Sequence, residues 1–177
     1  VLIGAAYTNV NAVPRTNLAR LHTNGQLDFS FSAEVDPVYA IALQPDGKVV
    51  TGGYSGMARF LADGSRDMEY SALAFGAVHC VAVQPDGRIL AGGDLGRVSD
   101  TELYGIVRLE ADGYPDPTFT PPAMRPETVY TLLPQPGGQV LIGGWIVLIE
   151  GGLQRKGLLR LNANGTLDTN FFTEFYV

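Results

Sequence analysis

The chain has 177 residues, 46% of them hydrophobic and 17% charged, with a net charge of −6. That hydrophobic content supplies a globular core, and the acidic balance with no basic stripe excludes nucleic acid and anionic membranes as partners. No segment approaches the ~20 apolar residues of a membrane span, and one cysteine, Cys80, excludes an internal disulfide.

Taken in chain order, the same short elements return four times. Val1 to Gly4 is an apolar segment ending in glycine, followed by a polar stretch at 7–16 and then Ala19-Arg20-Leu21. An Asn24-Gly25 turn, an aspartate at Asp28 and an aromatic at Phe31 complete the unit. The second unit shows what precedes such a segment. Residues 39–43 read as a strand, Pro45-Asp46-Gly47 as a hairpin turn, and residues 48–51 as a second strand that runs into Gly52-Gly53. Proline presets φ at such a turn and glycine accepts positive φ. Residues 54–57 lead to Ala58-Arg59-Phe60, Asp63-Gly64, Asp67 and Tyr70.

The third unit repeats this as the apolar run 78–83, Gln84-Pro85-Asp86-Gly87, Gly92-Gly93, Val107-Arg108-Leu109, Asp112-Gly113, Asp116 and Phe119. The fourth gives Gln135-Pro136-Gly137-Gly138, Gly143-Gly144, Leu159-Arg160-Leu161, Asn164-Gly165, Asp168 and Phe171. No window carries a helical apolar period, so almost no helix is expected. Each unit reads as four short strands joined by two turns of fixed chemistry. Such units at a period of ~40–50 residues are propeller blades or solenoid coils, and the uneven lengths favour blades.

The segments Val38-Tyr39-Ala40-Ile41-Ala42-Leu43-Gln44-Pro45-Asp46-Gly47-Lys48 and Leu159-Arg160-Leu161 through Asp168 and Phe171 resemble the delta-60 repeat of the β-propeller type. The resemblance covers essentially the whole chain. It implies a secreted or cell-surface bacterial protein, a ring of seven blades and no enzymatic activity attached to the repeat itself. The expected fold is therefore an all-β propeller segment of four-stranded antiparallel blades. It spans 1–177 as about three and a half blades, divided at 1–31 (partial), 32–70, 71–119 and 120–177. An incomplete ring leaves raw strand edges. Three arrangements follow: part of a longer chain, a ring closed with another chain, or an open arc.

For chemistry the residues offer little. The four arginines and their aspartates recur in every unit, which assigns them to architecture. An arginine fork can fix the aspartate and a blade-edge carbonyl together. Asn162, Asn164 and Asp168 imitate the start of a calcium loop but lack its closing glutamate, so they read as a turn. The paired glycines lack the helix start of a phosphate loop and read as close packing or a bulge. Cys80 reads as a small buried hydrophobe. His79 shares a repeat position with Tyr39 and Tyr130, facing a neighbouring blade or the channel.

The variable segments 7–16, 54–57, 94–104 and 145–156 are where binding is expected on a rigid repeated frame. Their candidate contact residues are Tyr7, Tyr54, Tyr104, Trp145, Arg155 and Lys156. The functional expectation is a non-catalytic scaffold for a protein or glycan partner, with no cofactor and no metal. The alternatives are a lactonase- or lyase-like enzyme with a channel site, and a purely structural spacer.

Overall fold

The computed structural model describes residues 1–71, 76–98, 101–102, 105–124, 127–150 and 153–171. Among these there is no helix. The first repeat holds β1 (Leu2–Gly4), β2 (Asn9–Val10), β3 (Val13–Pro14) and β4 (Leu18–Arg20); the second holds β5 (Val38–Leu43), β6 (Val49–Gly53) and β7 (Gly56–Phe60). The third holds β8 (Gly76–Val83), β9 (Ile89–Leu95), β10 (Arg97–Val98), β11 (Thr101–Glu102) and β12 (Ile106–Leu109). The fourth holds β13 (Glu127–Pro134), β14 (Val140–Glu150) and β15 (Leu153–Leu161). Within each of the last three repeats the first strand pairs antiparallel with the second and the second with the third. In the first repeat β1 and β4 supply the second and third.

The turns form as their chemistry dictates. Gly47 and Gly87 sit at φ of 86° and 88°, and the Asp46 and Asp86 carboxylates accept the N–H groups of Lys48 and Arg88 at 3.1 Å. In the second turn Asn24, Asp63, Asp112 and Asn164 each accept the N–H two residues on. Asn164 accepts the Thr166 N–H as a turn residue does.

The expected fourth strand is much shorter than its sequence suggests. It is a single bridge in each repeat: Leu21 to Leu27, Phe60 to Arg66, Leu109 to Pro115 and Leu161 to Leu167. The aspartate that follows stops it. Asp28, Asp67, Asp116 and Asp168 each draw in the N–H two residues on, at 2.8–3.1 Å, and turn the chain away. The variable segments are excursions between the second and third strands. They are the β2–β3 hairpin, a tight turn after Gly53, the β10–β11 hairpin, and the long ribbon by which β14 and β15 extend past Gly144.

The core lies between repeats rather than within them. Val49 packs with Leu18, Phe31 and Val38 on one side of β6, while Val50 packs with Val78, Ile89 and Val107 on the other. Ile89 and Leu90 divide in the same way, Leu90 meeting Val129, Val140 and Ile142. A strand buried on both faces needs no polar alternation, so these strands read as continuous apolar runs.

Three further devices tie each repeat to the next. Valines on the first strands press on the preceding repeat's glycine: a Cβ on Gly4, Gly52 or Gly92 would lie 2.5–2.8 Å from Val38, Val78 or Val129. The N–H groups of Ser32, Ser71 and Thr120, each directly after the closing aromatic of the preceding unit, donate to the carbonyls of Asp63, Asp112 and Asn164 at 2.8–3.0 Å and so anchor that unit's end on the following one. Arg20, Arg59 and Arg108 hold their own aspartates through Nε at 2.7–2.9 Å and donate through Nη1 to the carbonyls of Ala62, Ala111 and Ala163 in the following repeat. Each guanidinium also lies 4.5–4.9 Å over Phe31, Tyr70 or Phe119. At the outer repeats these half-seams stand open among the described residues. A Cβ on Gly25 would meet nothing within 4 Å, and one on Gly143 would meet only its own repeat.

The aspartates give this frame an acid limit. Burial works to raise the Asp67 and Asp116 carboxyls. Lys48, the Glu69 N–H and Arg59 at Asp67, and Thr118 and Arg108 at Asp116, outweigh it and hold both below the usual range. A pKa lowered by folding stabilises the fold above the unfolded value and is lost as pH falls through the folded one. Thermal stability is therefore expected to be level near neutrality and to fall below about pH 4, the ordinary carboxylate pKa. A melting series should also show Asp116→Asn with a lower plateau and a shallower acid decline; an acid-insensitive wild type would contradict this.

Candidate functional site

Each complete first strand carries one extra residue opposite the paired glycines. Pairing passes from Val38 with Gly53 to Ala40 with Gly52, from Val78 with Gly93 to Cys80 with Gly92, and from Val129 with Gly144 to Thr131 with Gly143. The residues left over are Tyr39, His79 and Tyr130. A bulge re-aims the side chain it carries. The second glycine permits it: a Cβ on Gly53, Gly93 or Gly144 would stand 2.0–2.4 Å from the carbonyl oxygen of Pro37, Ala77 or Thr128.

The three bulge residues meet in a row. The Tyr39 and His79 rings are stacked with centroids 5.7 Å apart and planes at 17°; His79 and Tyr130 are 5.4 Å apart at 50°. Tyr39 is 51% exposed and Tyr130 54%. His79 Nε2 lies 3.2 Å from Asp94 Oδ2, and the Thr128 hydroxyl donates to Asp94 Oδ1 at 2.5 Å. The Thr128 hydroxyl has the largest effect and lowers the Asp94 carboxyl; burial opposes it, and His79 lowers the carboxyl further, so that it lies below its usual range. It is therefore ionised at neutral pH.

Thr128 links this row to the variable segments. It pairs with Asp94 of the preceding repeat and with Trp145 of its own. Directly opposite residues of antiparallel strands share a face, which sets Trp145 on the side of Thr128 and Asp94. Trp145 is 66% exposed, and Tyr54 at the same repeat position is 73% exposed.

The remaining sequence candidates fall elsewhere. Tyr7 folds back on the first repeat: its hydroxyl donates to the Ile3 carbonyl at 3.1 Å, and burial raises its pKa. Lys156 is exposed and pairs with Val147 on the long ribbon. Tyr104 and the side chain of Arg155 lie outside the described residues. Sequence reasoning missed Asp94 as the partner of His79, and Thr128 as the second partner of Asp94. The available signal was a carboxylate following the glycine pair where two other repeats carry an aromatic.

Two further groups are accounted for. Cys80 is mostly buried, its thiol pushed up to about 12 by burial, and its Sγ lies 3.7 Å from the Val129 carbonyl oxygen. Burial therefore disfavours the reactive thiolate form. His79 and Asp94 form a histidine–carboxylate pair, and Asp94 is the one polar partner of His79 among the described residues.

No curated protein matches the chain. Among solved structures it resembles the computationally designed Ika4 protein, at 12% identity over 78% of this chain and 93% of that one, with a TM-score of 0.48. It also resembles a streptogramin B lyase, at 17% identity over 76% of this chain and 43% of that one, TM-score 0.44. A protein of unknown function from Bacteroides caccae gives 10% identity over 94% and 91%, TM-score 0.38. At these identities and scores none of them carries an argument about function. A family model described as "Domain of unknown function (DUF5122) beta-propeller" matches residues 1–31, 44–70, 84–119 and 135–171, each stretch closing on one of the repeated aromatics, and the chain belongs to that family.

Proposed function

We propose that this chain is a non-catalytic propeller segment of a secreted or cell-surface bacterial protein, and that it presents a binding surface to a protein or glycan partner. The observation that carries the reading is the collection of exposed aromatics, Tyr39, Tyr130, Tyr54 and Trp145, around the paired glycines of a rigid frame. Exposed aromatics on a rigid frame are low-entropy anchors for a partner. The delta-60 resemblance supports a ring of about seven blades. The open half-seams at Gly25 and Gly143 fit further blades, from this chain or another, at both edges.

The His79–Asp94 pair is the one feature that favours a channel enzyme instead. The test applies the purified chain to an array of extracellular glycans and peptides and assays it on lactone and lyase substrates. Saturable capture that Trp145→Ala or Tyr130→Ala weakens, with unchanged melting temperature, is the expected result. Turnover abolished by His79→Ala would establish the enzyme reading instead. Absence of both capture and turnover would leave a spacer.

A further inference from the structure

We infer that the row Tyr39–His79–Tyr130, flanked by the Asp94 carboxylate and continued past Thr128 to Trp145, is a subsite for a neutral saccharide chain. The inference rests on the binding reading above and names its ligand class.

The first support is periodicity. Each repeat contributes one ring at one bulge position, and centroids follow at 5.7 and 5.4 Å. A surface built of evenly spaced rings suits a ligand that is itself a series of rings, whose apolar C–H faces aromatic groups cover well. The second is the acceptor beside it. Each Asp94 oxygen already takes one partner, Thr128 or His79, and a carboxylate oxygen accepts two. Among the described residues one position on each remains for a hydroxyl, and Asp94, about half exposed, is held in place by those two bonds. A fixed acceptor beside an apolar face gives a polyol both orientation and contact area.

The third is what the row opposes. No lysine or arginine among the described residues pairs with Asp94, and the chain carries a net charge of −6, so an anionic sugar meets repulsion. A quaternary ammonium needs rings enclosing it, whereas these three follow one another in a single row. A small cavity, of about 80 Å³, lies elsewhere, between Asp36, Thr51, Ser55 and Arg66. An open row takes an extended chain more readily than a small molecule that must be surrounded.

The experiment is calorimetric titration of the chain with cellohexaose, mannohexaose and chitohexaose, beside oligogalacturonate and tetramethylammonium, with Trp145 fluorescence as a second readout. At least one neutral hexasaccharide is expected to bind saturably. Tyr130→Ala and Asp94→Ala should each weaken it about tenfold, the range one aromatic contact or one charged hydrogen bond supplies. Both residues are half exposed, so the variants should melt as the wild type does. Binding of oligogalacturonate or tetramethylammonium alone would overturn the neutral-saccharide assignment and keep the binding surface. Array capture of a peptide ligand, lost in Tyr130→Ala with all three hexasaccharides silent, would do the same. Silence from every probe and array would overturn both.

Discussion

Replacing Arg108 with alanine is expected to destabilise the chain by about 3 kcal/mol, the lower end of the usual cost of breaking a buried ion pair. The Arg108 and Asp116 side chains are 7% and 1% exposed, with Nε 2.7 Å from Oδ2. The same guanidinium donates to the Ala163 carbonyl of the next repeat and to the Thr118 hydroxyl, and it covers the Phe119 ring. Alanine removes all four contacts at once and leaves Asp116 with Arg88, 3.4 Å away, as its remaining cation. Lysine is no substitute, because a point charge cannot reach the aspartate and the carbonyl together. Arg160 serves as the internal comparison. It holds Asp168 at 2.8 Å and covers Phe171, yet it is 26% exposed and donates to no further repeat among the described residues. Urea unfolding should show a smaller loss for Arg160→Ala than for Arg108→Ala. Equal losses would mean that the arginine acts only inside its own repeat and that the seam contributes nothing.

The second large effect is expected at Gly93. A Cβ there would stand 2.0 Å from the Ala77 carbonyl oxygen and 2.9 Å from the Val78 Cα. Both are backbone, so no rotamer change relieves them, and the bulge that carries His79 must give way. Gly93→Ala should cost about 3 kcal/mol or more, at the upper end of overpacking penalties. It should also move the His79 ring, read as a change in its NMR resonances. Gly92→Ala is the control. Its Cβ would meet the Cys80 thiol at 2.7 Å and a Val129 methyl at 2.8 Å, both side chains. These can shift by a few tenths of an ångström, so the loss should be smaller and the His79 resonances closer to those of the wild type. A Gly93→Ala variant as stable as the wild type would show that the bulge is not what this glycine is for.

These residues also show how far the amino-acid order reaches. Periodicity alone established the repeats, their turns and the pairing of each arginine with the aspartate eight residues on, because those are local matters of turn geometry and spacing. The aspartate's second role was not visible. It ends the fourth strand after one bridge, since its carboxylate claims the N–H that the strand would have used. The paired glycines were legible as close packing or a bulge. Only the tertiary structure separates them: the first admits the neighbouring repeat's valine, and the second admits the bulged strand's carbonyl.

For the site, the shared repeat position of Tyr39, His79 and Tyr130 could be read from the sequence, as could the place of Trp145 and Tyr54 in the variable segments after the glycine pairs. That the three rings form one row, with Asp94 held between His79 and Thr128, was decided by the docking of repeats. Thr128 and Asp94 are 34 residues apart and belong to different units. Sequence spacing fixes what happens within a strand or a turn, whereas contacts across a seam depend on how two rigid sheets settle against each other's side chains.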